Sequence, residues 1–435
     1  MTAGDLALHE GDRKVTDGRI QRLRVSDRVA PLSTVALAGP TAQLVRVGER
    51  VFVAGQTGIG LDGRLQGPGD AARQAEQAIS NIATLLTEAG GSLADITKVA
   101  IAITDRGHGA AVYDVVGRAL EGVFPCVTGR LLRGLGGADL LVQIDVDAVI
   151  APRRADGGAP EHIRRLGRVS WSAQRADWQA SRVVGTPGEI FVQGLNGLPF
   201  DGDRVSGAGR SDAAAALQAE TALANLKVLL AEAGSGVEDI CKITVCVADR
   251  SFRAAVYPMI GQYLRGVHPV STGLVIGGFE RPEVLFELDV NAVAGRGSAH
   301  QRFRKYHSRV AKYGFAGQNL DCDFCMAVRA GGNLFLRGQT GMDFDERLQG
   351  DGESGIQAGQ AMNNVRVLLG EGGATLADVT RAVLYVTDRA YQAPALAAVM
   401  GEFGDVAPAV SVMIVDGLAS PELLMEIDIQ AMLSE

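Results

Sequence analysis

The stretch Phe124-Pro125-Cys126-Val127-Thr128 decides the fold, because two later segments of the chain repeat it. The second copy is His268-Pro269-Val270-Ser271-Thr272, and the third is Ala407-Pro408-Ala409-Val410-Ser411. Twenty residues after each proline, a strand-like segment carries an aspartate, and these are Asp145, Asp289 and Asp428. Self-similarity at a fixed spacing is the signature of a repeated structural unit. The sequence therefore predicts one unit written three times.

The register of the repeats gives the predicted boundaries. Gln74, Gln218 and Gln357 are separated by 144 and 139 residues, whereas Gly55, Gly194 and Gly338 are separated by 139 and 144. The reversal places an insertion in the loop at 201–211, as expected because loops tolerate insertions. We predict an N-terminal extension at 1–29, units at 30–151, 170–296 and 309–435, and linkers at 152–169 and 297–308. The basic residues of the linkers are most simply read as solvated charges.

Within one unit the pattern alternates between strand-like and helix-like segments. Two short apolar strands surround Gly48-Glu49, and residues 71–89 carry apolar side chains at helical spacing. A third strand, a second helix and two final strands follow. The predicted order is ββαβαββ, an α+β sheet with both helices on one face. Three such sheets in one chain can bury their other faces against each other around a pseudo-threefold axis.

Composition narrows the class of protein. The 435 residues are 47% apolar and 21% charged, with a net charge of −8, which argues against nucleic acid as the main partner. No apolar run is long enough for a membrane span, so we expect no membrane partner and a soluble protein in the cytoplasm. The five cysteines are predicted to be free thiols. Cys322 and Cys325 have C-x-x-C spacing, but no second pair follows, and we predict no metal site and no cofactor.

Several of these motifs resemble the RidA/YjgF family of imine and enamine deaminases. The resemblance rests on segments of the first unit, 53–58, 89–95 and 142–145, and on Leu336-Arg337-Gly338-Gln339-Thr340-Gly341 in the third. The second unit matches less well, with Gly194-Leu195 where the glutamine would be. The resemblance implies a chorismate-mutase-like fold that normally forms a homotrimer with a ligand cleft at each interface. Here the trimer would form within one chain, and further association of such pseudo-trimers is left open.

The resemblance also implies two functional positions at which this chain departs from the family. Deaminating members carry an arginine two residues after the proline, where it binds the substrate carboxylate, and this chain has Val127, Ser271 and Val410. Members also carry a glutamate on the last strand, at the position of the three aspartates. Because valine and serine cannot replace a guanidinium fork, ordinary 2-imino acid deamination is not expected. Arginines that recur at 106, 250 and 389 are either a relocated anion clamp or structural turn residues.

Candidate catalytic residues are Cys325, His268, Asp289 and Asp428. Cys325 lies where the family often has a cleft serine, and it is either a thiolate nucleophile or a small buried cysteine. His268 is either a base that meets Cys325 and Ser271 in one cleft or a surface histidine. The aspartates either activate water or are hydrogen-bonded structural acids. Predicted substrate-binding residues are Ser271, Gln339, Gln56 and Arg337.

We therefore expect a divergent hydrolase or deaminase that acts on a small nitrogen-containing metabolite, with an enamine, imine or cyclic amide as the labile bond. The substrate would bind in a cleft between repeats, and the repeats would have specialised. The alternative is a non-catalytic small-molecule binder or scaffold of the same fold. Ribonuclease activity, which has been associated with some members of the family, is least consistent with the acidic balance.

Overall fold

The protein is described by a computed structural model that covers residues 13–16, 18–26, 39–151, 163–172, 175–295, 299–308 and 320–433. The predicted boundaries fall partly outside these residues, at 1–12, 17, 27–38, 152–162, 296–298, 309–319 and 434–435. We call the described parts before 152 the first unit, those from 163 to 295 the second unit, and those from 299 onward the third unit.

The first unit has the predicted ββαβαββ order, preceded by two additional strands. Its first helix begins after Asp70, whose side chain accepts a hydrogen bond from the Arg73 amide, and it ends before Gly90, which has a φ of 85°. The elements are β1 (Arg13–Thr16), β2 (Ile20–Val25), β3 (Leu44–Val47), β4 (Arg50–Thr57), α1 (Ala71–Glu88), β5 (Ile96–Ile103), α2 (Gly109–Ala119), β6 (Cys126–Leu131), β7 (Gly134–Leu135) and β8 (Val142–Val149).

The second and third units repeat this plan. The second contains β9 (Arg164–Ser172), β10 (Arg175–Gly185), β11 (Ile190–Val192), β12 (Leu195–Asn196), α3 (Asp212–Glu232), β13 (Ile240–Val247), α4 (Arg253–Tyr263), β14 (Val270–Val275) and β15 (Phe286–Ala292). The third contains β16 (Gln301–Phe303), β17 (Tyr306–His307), β18 (Asp323–Phe324), β19 (Ala327–Ala330), β20 (Asn333–Leu336), α5 (Ser354–Glu371), β21 (Val379–Val386), α6 (Arg389–Phe403), β22 (Ala409–Ile414) and β23 (Met425–Met432).

The sheets share one topology, in which the last long strand lies in the middle. The first sheet has the order β1-β2-β3-β4-β8-β5-β6, with β5 parallel to β6 and antiparallel to β8. The third sheet has the matching order β16-β19-β20-β23-β21-β22 and takes β7 of the first unit as its edge strand. None of the helices in the described part of the chain has the length and apolarity needed to span a bilayer.

Strands lie inside the segments predicted as the extension and the linkers. β1 and β2 extend the first sheet, β9 pairs with β10, and β16 pairs with β19. Their arginines are not simply solvated. Arg165 Nη2 donates to the Ala94 carbonyl at 3.0 Å, and Arg302 Nη2 donates to the Glu238 carbonyl at 2.9 Å. The arginines of β9 and β16 therefore anchor these strands to the preceding unit.

Each sheet buries two different faces. One face packs on its own two helices and forms a core, to which the next unit adds Trp178 and Ala180 in the first unit and Cys322 and Phe324 in the second. The opposite face contributes to apolar clusters that contain residues from two or three units. The proline stretches join the units at these faces, because the carbonyls of Pro125, Pro269 and Pro408 accept hydrogen bonds from the amides of Ser181, Cys325 and Ala42. The three repeats thus form the predicted intramolecular pseudo-trimer.

Candidate active site

A cleft, here called cleft A, opens between the second and third units. It encloses about 890 Å³ of space including its mouth. The second unit contributes the start of α4 and part of β14, and the third unit contributes β17, β18, the segment after β20 and part of β23. Its lining includes these polar or charged side chains: Arg253, Tyr257, Ser271, Arg337, Gln339 and Glu426.

Arg253, the first residue of α4, presents a guanidinium with two unpartnered nitrogens to cleft A. The residue is 6% exposed, and neither Nε nor Nη1 has a hydrogen-bond partner among the described residues. Its Cζ lies 4.7 Å from the centre of the Tyr257 ring. Gly273 provides the space, since a Cβ there would lie 2.7 Å from Nη1. Because buried N–H groups without an acceptor are unfavourable, this geometry favours a ligand that accepts hydrogen bonds from a cation, such as a carboxylate.

Glu426, on β23, is the acid of cleft A. It is 5% exposed, and a Cβ at Gly338 would lie 1.8 Å from its Oε1, so only glycine at 338 leaves room for the carboxyl group. Burial raises the pKa of Glu426 to about 7, although Arg337 opposes that rise. A carboxyl group that titrates near neutral pH can donate a proton and accept one in the same reaction cycle.

Arg337 brings a second guanidinium to cleft A from the opposite unit. Its Nη1 lies 3.5 Å from the sulfur of Met326, and its Cζ lies 5.3 Å from the centre of the Tyr306 ring. Arg253 and Arg337 therefore face one cleft from two sides. Together they supply a positive charge to the cleft, which the uncharged residues two positions after the prolines, Val127, Ser271 and Val410, do not.

Aromatic rings form an apolar wall of cleft A. The ring centres of Tyr257 and Phe324 lie 6.3 Å apart in an edge-on arrangement, and those of Tyr306 and Phe324 lie 6.1 Å apart. Met342 and Phe344 also line the cleft. Such a wall favours contact with an apolar part of a ligand whose charged end lies at the arginines.

Three of the predicted substrate-binding residues lie in cleft A, namely Ser271, Gln339 and Arg337. The Gln339 side chain donates to the Arg337 carbonyl at 2.7 Å and holds the segment that carries both residues. Gln56, the fourth, lies at the equivalent place between the third and first units, which we call cleft C. It is fully buried there and donates to the Ala54 carbonyl at 2.9 Å.

The Cys325 thiol does not face cleft A. It is fully buried and donates to the carbonyls of His268 at 3.0 Å and Ala327 at 3.2 Å. Burial raises the pKa of Cys325 to about 12. Because a thiolate is the nucleophilic form of cysteine, this environment contradicts the nucleophile hypothesis and supports a packing role.

The His268 imidazole lies apart from the thiol. The loop of the second unit abuts the first strands of the third, and the contact with the Cys325 thiol is made by the His268 carbonyl. The ring Nδ1 lies 3.0 Å from the Gly266 carbonyl, and His268 has a left-handed φ of 56°. Phe124, at the equivalent position of the first unit, has the same φ, so this conformation is a property of the turn in both units. His268, Ser271 and Cys325 do not form a catalytic group.

Asp289 and Asp428 face the pseudo-threefold axis, where they are paired with cations. Asp289 accepts from Lys98 and, at 3.1 Å, from Arg130, both in the first unit. Burial would raise the pKa of Asp289, but these two cations outweigh burial and lower it. Asp428 pairs in the same way with Lys242 of the second unit. Carboxylates held in ion pairs are poor bases, so the two aspartates are structural acids rather than catalytic ones.

The recurring arginines at 106, 250 and 389 are also structural. Each donates to a backbone carbonyl of another unit: Arg106 to Phe279 at 3.1 Å, Arg250 to Leu418 at 3.1 Å and Arg389 to Leu135 at 3.0 Å. They bind neighbouring units together, which supports the interpretation as structural turn residues.

Aligning the repeats shows how cleft A differs from its two counterparts. Cleft B lies between the first and second units, and cleft C lies between the third and first units. The four positions Arg253, Ser271, Arg337 and Glu426 correspond to Gly109, Val127, Gln193 and Glu287 in cleft B, and to Gln392, Val410, Ala54 and Gln143 in cleft C. Cleft A alone of the three carries both guanidinium groups at these positions.

Arg253 and Glu426 were missed by the sequence analysis, although the register of the repeats offered a signal. Arg253 aligns with Gly109 and Gln392, so a charged residue appears in one copy where the others have none. Glu426 lies two residues before Asp428, on the same face of the strand. The sequence alone does not show that Glu426 lines a cleft whereas Asp428 faces the pseudo-threefold axis.

Comparison with known proteins places the chain among related sequences. A family profile described as endoribonuclease L-PSP matches residues 33–150 and 321–433, which lie in the first and third units. A 2-iminobutanoate/2-iminopropanoate deaminase of Capra hircus is 29% identical over 119 residues, which are 27% of this chain and 85% of that protein. A RutC family protein of Pyrococcus abyssi is 38% identical over 77 residues, which are 18% of this chain and 61% of that protein.

Solved structures give similar matches. A YjgF/YER057c/UK114 family member from Mycobacterium tuberculosis is 28% identical and covers 31% of this chain and 99% of its own, with a TM-score of 0.25. A chorismatase is 16% identical and covers 78% of this chain and 93% of its own, with a TM-score of 0.49.

Proposed function

Because the chain belongs to the RidA/YjgF family, whose endoribonuclease L-PSP profile matches more than half of it, we propose that it is a hydrolase of the deaminase type that works in cleft A. The substrate is a small imine or enamine that bears a carboxylate. This revises the expectation from the proline stretches, since Arg253 and Arg337 take the role that Val127, Ser271 and Val410 cannot perform.

One observation carries the proposal. A buried carboxyl group with a pKa of about 7, that of Glu426, shares a single cleft with two guanidinium groups from different units. Perturbed acids in a cleft are typical of sites that transfer protons. Guanidinium groups bind carboxylates through charge-assisted hydrogen bonds. The combination supports binding of an anion next to a proton donor.

The chemistry follows from these groups. Arg253 and Arg337 hold the substrate carboxylate, and protonated Glu426 donates its proton to the β-carbon of an enamine, which becomes an iminium ion. The Glu426 carboxylate then takes a proton from water as the water oxygen bonds to the iminium carbon, which gives a carbinolamine. Glu426 returns that proton to nitrogen, and its carboxylate takes the hydroxyl proton as the C–N bond breaks and the C=O bond forms, which releases ammonia and restores the acid. The net reaction is enamine plus water to a 2-oxo acid plus ammonia.

The aromatic wall gives the substrate its orientation. With the carboxylate at the arginines, the side chain of the substrate packs against Tyr257, Tyr306 and Phe324, and the reacting carbon comes to lie beside Glu426. Burying the reactants in this way fixes their geometry and excludes bulk water.

The test is turnover of 2-imino acids generated in solution from amino acids by an amino acid oxidase, measured as ammonia released above the uncatalysed rate. Glu426→Gln should lower kcat by about 100-fold or more, the range for a lost general acid. Arg253→Gln should lower kcat/KM by about 10- to 100-fold, the equivalent of a lost charge-assisted hydrogen bond. Matched surface controls are Glu402→Gln and Arg366→Gln, whose side chains pair with each other on the exterior.

Cys325→Ala should retain turnover, because the thiol is buried away from cleft A. Full activity of Glu426→Gln would refute the proposal. The alternative of a non-catalytic binder predicts that 2-oxo acids raise the melting temperature without any product being formed from the imines.

A further inference from the structure

Cleft B keeps the acid of cleft A but loses its cations. Glu287 stands where Glu426 stands, while Gly109 and Gln193 replace the two arginines. Cleft B is also larger, with about 1350 Å³ including its mouth. A cleft that keeps a buried acid without an anion clamp is unsuited to the ligand proposed for cleft A.

The Glu287 carboxyl group has no hydrogen-bond partner on one of its oxygens. The residue is 5% exposed and lines cleft B, and its Oε1 has no partner among the described residues. Gly194 gives access, since a Cβ there would lie 2.6 Å from the carboxyl carbon. The nearest cation, Arg130, has its Nε 3.8 Å from Oε1, beyond hydrogen-bond distance, while its Nη2 binds Asp289 at 3.1 Å.

The charges around Glu287 leave it neutral at neutral pH. Burial raises the pKa of Glu287 to about 8, with Asp289 adding to the rise and Arg130 and Lys98 opposing it. Two arginines line cleft B, and both already have partners. Arg182 donates to the Phe200 carbonyl at 3.2 Å and stacks on the Phe200 ring at 4.0 Å, and Arg281 donates to the Asp203 carbonyl at 2.9 Å. A protonated carboxyl group offers one O–H donor and one acceptor side by side.

We propose that cleft B is a second ligand site, which takes an uncharged amide such as a primary carboxamide or a lactam. The amide carbonyl accepts from the Glu287 O–H, and the amide N–H donates to the other Glu287 oxygen. The apolar part of the ligand packs beside Phe200 and Val284, which line the same cleft. Carboxylates should bind poorly, because no arginine stands at the positions of Arg253 and Arg337 and the two arginines that line cleft B already donate to backbone carbonyls.

The test uses benzamide and benzoate as matched probes, with binding measured by titration calorimetry. Benzamide should bind the wild type at pH 6.5 and lose about tenfold or more in affinity at pH 9.5, where Glu287 is ionised. Glu287→Leu should abolish benzamide binding, and Arg253→Gln should leave it intact. Benzoate should show the reverse pattern, with binding lost in Arg253→Gln and kept in Glu287→Leu.

Glu287→Gln guards against loss of folding in the leucine variant. Glutamine keeps a donor and an acceptor but does not titrate, so benzamide should bind this variant equally at both pH values. The proposal is overturned by benzamide binding that survives in Glu287→Leu, that is lost in Arg253→Gln, that ignores pH in the wild type, or that is undetectable. Failure of benzoate alone would count against cleft A and leave cleft B standing.

Discussion

At the scale of single residues, glycines determine where the ionisable groups of cleft A lie. Gly273 leaves room for the Arg253 guanidinium, and Gly338 leaves room for the Glu426 carboxyl group. Gly273 lies within β14, and Gly338 lies two residues after β20. The charged side chains therefore reach the cleft through gaps that any Cβ would close.

Gly273→Ala should weaken binding of the proposed substrate in cleft A. The new Cβ would lie 2.7 Å from Arg253 Nη1 and displace the guanidinium. We expect kcat/KM for 2-imino acids to fall by about tenfold or more, mainly through KM, as when one charge-assisted hydrogen bond is lost. Gly359→Ala is the matched control, because nothing lies within 4 Å of its added Cβ. An unchanged KM in Gly273→Ala would show that Arg253 does not bind substrate.

The pH dependence of catalysis should follow Glu426. The charged groups that act on it are Arg337, Asp428, Arg253 and Lys242, and with burial they place its pKa at about 7. Because enamine protonation needs the acid form, kcat/KM for an enamine should be constant well below pH 7 and fall tenfold per pH unit above it. A pH–rate profile measures this directly. A profile that rises through pH 7 would contradict an acid role for Glu426.

At the scale of secondary-structure elements, the last strand of a unit serves two purposes. On β23, Glu426 faces cleft A while Asp428, two residues further on, faces the axis and pairs with Lys242. On β15, Glu287 faces cleft B while Asp289 pairs with Lys98. A period of two puts both acids on one face of the sheet, and the strand direction separates their environments.

Lys98→Met should destabilise the fold by about 3–5 kcal/mol, because it leaves Asp289 buried with less positive charge around it. The double variant Lys98→Met/Asp289→Asn should recover much of the loss. Urea unfolding measures both free energies. Arg366→Met, at a surface pair, is the control and should change stability by about 1 kcal/mol or less. Equal losses in the single and double variants would show that the pair is uncoupled.

At the scale of the whole molecule, residues that differ between repeats make the three interfaces distinct. Arg50, Glu189 and Asn333 occupy one repeat position, and Arg50 Nε lies 2.5 Å from the Glu189 carboxylate. In a homotrimer this position would bring three identical side chains together. Here opposite charges meet at one interface, so the order of the units is encoded in the chain.

The three units should unfold together, because an apolar cluster contains residues from all of them. Leu135, fully buried on β7, pairs with the third sheet, so Leu135→Ala should lower the free energy of unfolding by about 2–5 kcal/mol. In a Trp171→Phe background, Trp178 fluorescence and far-UV circular dichroism should report one coincident transition. The exposed Val367→Ala serves as control. Separate transitions for the two probes would contradict this cooperativity.

The sequence by itself determined the repeat, the ββαβαββ order and the intramolecular pseudo-trimer. These follow from local patterns, namely helical and strand periodicity together with spacings that recur three times. The sequence also identified Ser271, Gln339 and Arg337, which lie in cleft A. It placed boundary strands in linkers, because short edge strands rich in arginine have no strong apolar alternation.

The tertiary structure decided which chemical groups meet. Residue type made four side chains reasonable catalytic candidates, but none of them lines cleft A. The Cys325 thiol is buried, the His268 ring lies at a local turn, and Asp289 and Asp428 are held in ion pairs. Arg253 and Glu426 come from different units and lie 173 residues apart in the chain. Only the packing of the second unit against the third brings them together, because the charge and pKa of a side chain depend on neighbours that the sequence does not list.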